Sequence, residues 1–501
     1  MRKVIQHVRN VLMIVFFVSL PLTNFPFFPP SFGGNSAVVR PFLIYPLLGL
    51  VVLVTLPRLL SDSLPKPILI ILIFFLVASI SSLLVYFRGV QSPWREVSVF
   101  SRELRTIITL GLAISIYLTV TLFMQKGDDL RFSLRWIYVG LIMVLVWGTL
   151  QAIYMVNIIP GWFEIMNGLQ SFVTNRALYP TRISGMTYEP TAFADQIVVL
   201  WLPLLLGTSL TDYTVFGWRW KWLTVEKILL PWTMGILAFT LSRTGLVLGV
   251  GLIVFTVILK IIDQLSNRRA ADDKITCVTD RKGSRVFFGQ LSSRYVLLIV
   301  LGVLIFLTLF FILGARSDYI SRVWEYWTGS GDKDLRKYFT YIGFGSRMAY
   351  WQAAYNMYAD HPIFGVGLGN FTVYLADYVP FQHLAKTPEV LRHLVPKQGR
   401  SRVQTVKHFL LRILAETGLV GTGIFLTFVV VLLAGSVYLW LSKDEEEHFW
   451  GTIAILGMAG FIVDTFSYDS FAIPNPWVMF GIVTAAFRIF TAKMNGEEIL
   501  S

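Results

Sequence analysis

Apolar residues gather into long uninterrupted runs along the chain, separated by short polar stretches. The runs cover residues 11–28, 42–56, 68–87, 107–124, 136–158, 192–210, 228–241, 245–262, 295–313, 419–441, 449–463 and 477–490. Each is near the length a helix needs to cross a bilayer, which predicts about twelve transmembrane helices. The runs are continuous and do not alternate, which excludes a β-barrel. One polar stretch is much longer than the others. Residues 314–421 hold four of the six histidines (His361, His383, His393, His408) and many cations. Arg347, Lys386, Arg392, Lys397, Arg400, Arg402, Lys407 and Arg412 are among them, and so is a dense set of aromatics from Trp324 to Tyr358. The expected organisation is therefore helices 1–9 in residues 1–313, a large loop in 314–418 where the chemistry resides, and helices 10–12 in 419–501.

The distribution of cations sets an orientation. Arg58 and Lys66, Lys126, Arg131 and Arg135, Arg219, Lys221 and Lys227, the basic run 268–294, Lys443 and Lys493 all fall on one side if the N-terminus is cytoplasmic. Short loops rich in Lys and Arg stay inside, whereas long loops translocate largely regardless of charge. Both termini are then expected in the cytoplasm, and the large loop and residues 160–190 outside. The short outward loop 88–105 breaks the rule with Arg88, Arg95, Arg102 and Arg105; the reading preferred is that these arginines meet an anion. The first apolar run lacks a small-x-small cleavage site and is followed by Pro21, Pro26 and Pro29, so a retained span is preferred over a signal peptide.

Composition agrees with this class. The hydrophobic share is 55%, the charged share 15% and the mean hydropathy +0.64, far from a soluble domain. A lone cysteine, Cys277, excludes an intrachain disulfide and a multi-cysteine metal site. The net charge of +13 points to anionic lipid before nucleic acid, and no nucleic-acid module is present.

Four constellations could carry chemistry. In residues 179–190, Pro190 suits the first turn of a helix, Glu189 would sit at its positive end, and Arg182 would lie at the membrane boundary; the plain alternative is a capped loop with a snorkelling arginine. Ser242-Arg243-Thr244-Gly245 places an arginine in the middle of an apolar hairpin, where charge is costly and functional by default. Two converging guanidinium forks would clamp a diphosphate. Residues 344–355 read as a helix with Ser346 as N-cap, carrying Arg347 and Trp351, followed by Gly365, Gly367 and Gly369 in a tight backbone. No strand precedes these glycines, so a dinucleotide-binding site is rejected. Last, His408, Arg412 and Glu416 share one face of an amphipathic helix leading into a span, with His408 as a candidate general base or anion ligand. Asp332-Lys333-Asp334 matches a metal-binding DxD pattern and is read as a polar loop. Asp464 and Asp469 are a candidate acid/base pair at the end of a late span.

Taken together, Ser242–Gly245, the R-x-x-x-W pair Arg347 and Trp351, the H-P-x-x-G-x-G-x-G-x-F run at 361–371 and the H-x7-E-x-G-x-x-G run at 408–421 resemble the O-antigen ligase/polymerase superfamily of bacterial membrane glycosyltransferases. The resemblance covers most of residues 179–421. It implies an all-α, GT-C-like membrane fold in the bacterial cytoplasmic (inner) membrane, acting in cell-envelope polysaccharide or lipopolysaccharide biosynthesis. It further implies an undecaprenyl-type, polyprenyl-diphosphate-linked glycan donor, a glycan, lipid or protein acceptor, and chemistry that needs neither metal nor cofactor. Chain-length regulators and flippases are the implied protein partners. Carried over by position, Arg182 and Arg243 would bind the diphosphate and His408 would be the catalytic histidine. Arg347, Glu189 and Trp351 complete the expected substrate site, with Glu416 a second candidate base, and the aromatics of the large loop would stack on sugars. The family usually places Asn after the histidine; here it is Phe409. Polymerase and ligase activities both fit. A secondary transporter of a small anionic solute, and a passive assembly subunit, are the competing classes.

Overall fold

A computed structural model describes residues 2–28, 38–61, 64–87, 98–211, 213–221, 223–275, 318–329, 333–380 and 404–494, with isolated positions between 304 and 394. The chain is mostly helical. Helix α1 spans Arg2–Val18, and α2 runs over Ile44–Ser61 with a π-helical turn at Val51–Thr55. Then come α3 (Lys66–Phe87), α4 (Val99–Phe123), α5 (Gly127–Met155) and α6 (Trp162–Val173). Helix α7 is built from Pro190–Gln196, a π turn at Ile197–Trp201 and Leu202–Leu210. A two-residue ladder pairs Arg219–Trp220 with Leu223–Thr224 and leads into α8 (Val225–Phe239) and α9 (Arg243–Ile275). The long polar loop contributes α10 (Asp318–Thr328), α11 (Leu335–Tyr341), α12 (Gly345–Asp360) and α13 (Phe371–Tyr378). Helices α14 (Phe409–Trp440), α15 (Glu445–Asp464) and α16 (Pro474–Met494) close the chain.

Among the described residues, seven helices are long and apolar enough to cross a membrane: α2, α3, α4, α5, α7, α9 and α14. This is a helical membrane protein. The expected runs 228–241, 449–463 and 477–490 are also helical, as α8, α15 and α16, but do not reach that standard. The first run is helical only as far as Val18; Pro21 and Pro26 follow, and proline cannot donate the next helical hydrogen bond. The run 295–313, Cys277 and the basic segment beyond residue 275 lie outside the described residues.

Helix α7 is the axis of the bundle, with its membrane-length segment Pro190–Ser209 buried along nearly its whole length. Small residues let its neighbours approach. A Cβ on Gly245 of α9 would fall 2.4 Å from the Cβ of Ala194, and one on Gly460 of α15 would fall 2.9 Å from the Val198 carbonyl oxygen. Without a hydrophobic force between helices in lipid, this close backbone packing is what holds them. Hydroxyl pairs inside the bundle add to it, Tyr138 with Thr208 at 2.9 Å and Tyr117 with Thr484 at 3.1 Å.

The long loop has a small core of its own. Ala349, Tyr350, Ala353 and Met357 of α12 pack with Val366, Phe371 and Val406, and with Ala415 of α14. The loop is thereby seated on the first turns of α14, which begins at Phe409 and is broken at Gly418 (φ 64°, ψ −164°).

Candidate functional site

The site forms where the starts of α7, α9, α12 and α14 meet the end of α15. As expected, Pro190 is the first residue of α7 and Glu189 its N-cap. Arg182 donates from Nε to the Thr240 carbonyl at 2.9 Å, and the Ile183 amide donates to the Phe239 carbonyl at 3.2 Å. The 179–190 stretch is thus tied to the turn that carries Arg243. That turn is tight: Leu241 has φ +47°, and the Ser242 hydroxyl accepts from the Gly245 amide at 3.3 Å, capping α9. Arg243 itself reaches across to donate to the Ile342 carbonyl at 2.6 Å, next to the start of α12.

Helix α12 begins one residue before the expected cap. Its N-cap is Phe344, without a side-chain hydrogen bond, and Ser346 is buried inside the first turn. The reason is packing: the Phe344 ring meets Trp351 edge-on at 5.3 Å and lies 5.6 Å from the Arg347 guanidinium. Arg347 donates to the Phe466 carbonyl at 2.7 Å, which brings α12 onto the end of α15.

His408 is the N-cap of α14, 7% exposed. Its ring packs on Phe466 at 4.5 Å and on Trp351 at 5.2 Å. The Leu411 amide donates to its Nδ1 at 3.5 Å, so the neutral ring carries its proton on Nε2, as a donor. Burial pushes its pKa down to about 4; the Asp469 carboxylate opposes this and the Arg347 cation adds to it. Glu189 is shifted the other way. Burial raises its proton affinity, against the pull of Lys407, Arg176, Arg182 and Arg347. Four cations therefore act on one partly exposed carboxyl, and Arg347 acts on both Glu189 and His408.

Arg176 and Lys407, both absent from the expected substrate-binding set, act on Glu189. Lys407 has φ +56°, donates its amide to the Asp469 carboxylate at 2.5 Å, and places its ammonium 5.8 Å from the Tyr350 ring.

Glu416 lies one turn below Arg412 and accepts from its Nε at 3.0 Å; both side chains are buried. Arg412 also donates to the Asp469 carbonyl and stacks 4.9 Å from the Phe471 ring. Arg102 sends its guanidinium to the Gly369 carbonyl and faces Glu416. This contact tethers the glycine loop to α4. Glu103 does the same through Asn370, whose Nδ2 donates to it at 2.6 Å. Arg88 and Arg95 lie outside the described residues, as do Asp332, His383 and His393.

Asp464 and Asp469 go to different partners. Asp469 holds the Lys407 amide, while Asp464 of α15 meets Asp195 of α7 carboxyl to carboxyl. Asp195 accepts from the Ser467 hydroxyl at 3.1 Å, and among the described residues no other donor reaches the buried Asp464 oxygens. Asp195 was missed by sequence reasoning. The signal was there, an ionisable residue inside an apolar span.

The glycine loop that follows α12 is locked into the break of α14. Val366 and Gly367 donate their amides to the Ala415 and Glu416 carbonyls, both at 2.9 Å, and Leu419 donates to the Pro362 carbonyl at 2.7 Å. The carbonyls freed by the break are thereby satisfied, as a buried backbone requires.

No curated protein matches the chain. The family model described as O-Antigen ligase matches residues 228–426. That segment includes Arg243, Arg347, Trp351, the glycine loop, His408 and Glu416, and leaves Arg182 and Glu189 outside it. Over that segment the chain is similar to the O-Antigen ligase family.

Proposed function

We propose that this protein is a glycosyltransferase that moves a glycan from a polyprenyl-diphosphate carrier to another lipid-linked repeat unit, or to a lipid or protein acceptor. It would do so at the outer face of the bacterial cytoplasmic membrane, with the long loop extracytoplasmic. The observation that carries this reading is the set of cations whose charges act on Glu189, with Arg347 acting on both Glu189 and His408. Diphosphate is a leaving group whose charge and oxygen geometry suit several guanidinium and ammonium groups.

In this reading Arg182, Arg347, Lys407 and Arg176 take the diphosphate, whose negative charge grows as the glycosidic bond breaks. Prearranged cations in a partly dry pocket stabilise that charge without reorganising. Arg243 supports them by fixing the start of α12. His408, neutral and protonated on Nε2, orients the acceptor oxygen, and Trp351 holds its ring. The acceptor's proton goes to Glu189. Its burial already favours proton uptake, and a bound diphosphate would cancel the cations that oppose it. Glu416, paired with Arg412, is a positioning residue and not a second base.

The test uses the full chain purified in detergent with a polyprenyl-diphosphate oligosaccharide, products separated by length, and His408→Ala alongside. A ladder of longer lipid-linked glycans, absent in the variant, means a polymerase. Transfer only on addition of a lipid or protein acceptor means a ligase. Transfer by His408→Ala at the parent rate sinks the assignment, and silence in both arms favours the anion transporter.

A further inference from the structure

We propose that the aromatic run leading from the surface of the long loop to His408 is a glycan-binding track. It would seat several sugar units of the polysaccharide beyond the one that reacts. This rests on the reading of His408 as the transfer centre.

The run is continuous. Trp327 of α10 meets Tyr338 of α11 at 5.1 Å, Tyr338 meets Phe339 at 5.9 Å, and Phe339 meets Phe344 at 5.7 Å. Phe344 then meets Trp351, and Trp351 meets His408. Tyr326 and Tyr341 flank it, 5.6 Å apart. The outer members stay open to a ligand: Trp327 is 45% exposed, Tyr341 43% and Phe339 39%. The inner end is closed over the histidine.

The chemistry along this run fits a carbohydrate. A sugar ring offers an apolar C–H face and a rim of hydroxyls, and an aromatic ring with a polar handle answers both. Polar groups stand beside the rings. The Lys333 ammonium lies 5.5 Å from the Tyr326 ring, and the Tyr341 hydroxyl donates to the Glu325 carboxylate at 3.4 Å. A seat in lipid fits less well, because Arg322, Glu325 and Lys337 are exposed on the same two helices and charge is costly in hydrocarbon. The spacing of the rings further predicts that affinity rises with glycan length.

The experiment measures binding, not turnover. Lipid-free oligosaccharides of increasing length, released by mild acid from the source cell's own surface polysaccharide, are titrated calorimetrically into the full chain in detergent. The parent, Trp327→Ala, Tyr341→Ala and His408→Ala are compared. The parent is expected to bind longer oligosaccharides more tightly. Both exposed aromatic variants are expected to weaken binding of the longest by about tenfold, the worth of a single aromatic stacking interaction, and to leave the shortest within about twofold. His408→Ala is expected to keep the length dependence, so the track can stand or fall apart from the transfer reaction. Length-independent binding by the parent overturns the proposal. So do aromatic variants that bind the longest oligosaccharide like the parent, including the case in which they lose only retention in liposomes and so mark a membrane seat.

Discussion

Gly365 and Gly418 press backbone against backbone. A Cβ on Gly365 would fall 2.5 Å from the Ala415 carbonyl oxygen, and one on Gly418 would fall 2.3 Å from the Ile363 carbonyl oxygen. Both residues have positive φ, 69° and 64°. Two glycine motifs separated by more than forty residues of sequence are the two halves of one joint, which fixes the long loop against the broken helix that begins at His408.

Gly365→Ala and Gly418→Ala should each cost about 1–3 kcal/mol, from steric overlap and from a backbone conformation that alanine rarely adopts. The check is the thermal unfolding midpoint in detergent. Gly423→Ala on the same helix, where an added Cβ meets nothing within 4 Å, should leave the midpoint unchanged.

Glu189→Gln should lower kcat by about a hundredfold or more, the usual size of an acid–base contribution, with little change in donor KM. The rate of the parent should rise with pH through the Glu189 pKa, which lies above the ordinary glutamate value because of burial, since the ionised form is the active one. A parent rate that falls with rising pH over that interval contradicts the role.

Arg347→Ala and Arg182→Ala should weaken donor binding by a factor on the order of a hundred, as expected when a charge-assisted partner of a buried anion is removed. Arg347→Lys should recover only part of it, because an ammonium lacks the planar fork. Inhibition by inorganic diphosphate should weaken in step; unchanged inhibition would place the anion elsewhere.

His408 titrates near pH 4, below the ordinary histidine value of 6.5. Between those two pH values the unfolded chain binds the proton and the folded chain does not, so stability falls as pH drops through that window and is level above it. His408→Gln should remove this part of the pH dependence. Thermal midpoints of parent and variant from pH 7 to pH 4 provide the measurement, and parallel curves would contradict the shift.

Glu416→Gln should act on stability before it acts on chemistry. It leaves the buried Arg412 short of its ion pair, a loss of about 3–5 kcal/mol. Replacing both residues with apolar ones should cost less than either change alone. A stable, well-folded Glu416→Gln variant that has lost transfer would return Glu416 to the role of base.

The sequence by itself determined the class of this protein, because the length and continuity of an apolar run reflect a solvent with no hydrogen bonds to offer. It also marked Pro190 as a helix start, and put His408, Arg412 and Glu416 on one face, since both follow from local geometry. It could not say which charges meet. Arg176, Arg182, Arg347 and Lys407 come from separate stretches and converge on Glu189 only once α7, α12 and α14 are packed. Arg243 and Arg102 each donate to a backbone carbonyl far along the chain, Ile342 and Gly369, contacts that no local pattern announces. Asp195 and Asp464 pair across two helices that no short-range pattern connects. Ser346 yielded the cap of α12 to Phe344 because the aromatic contact with Trp351 decides where that helix begins. Periodicity is a property of neighbours along the chain, whereas the site depends on distances between residues far apart in it, and only the tertiary structure supplies those.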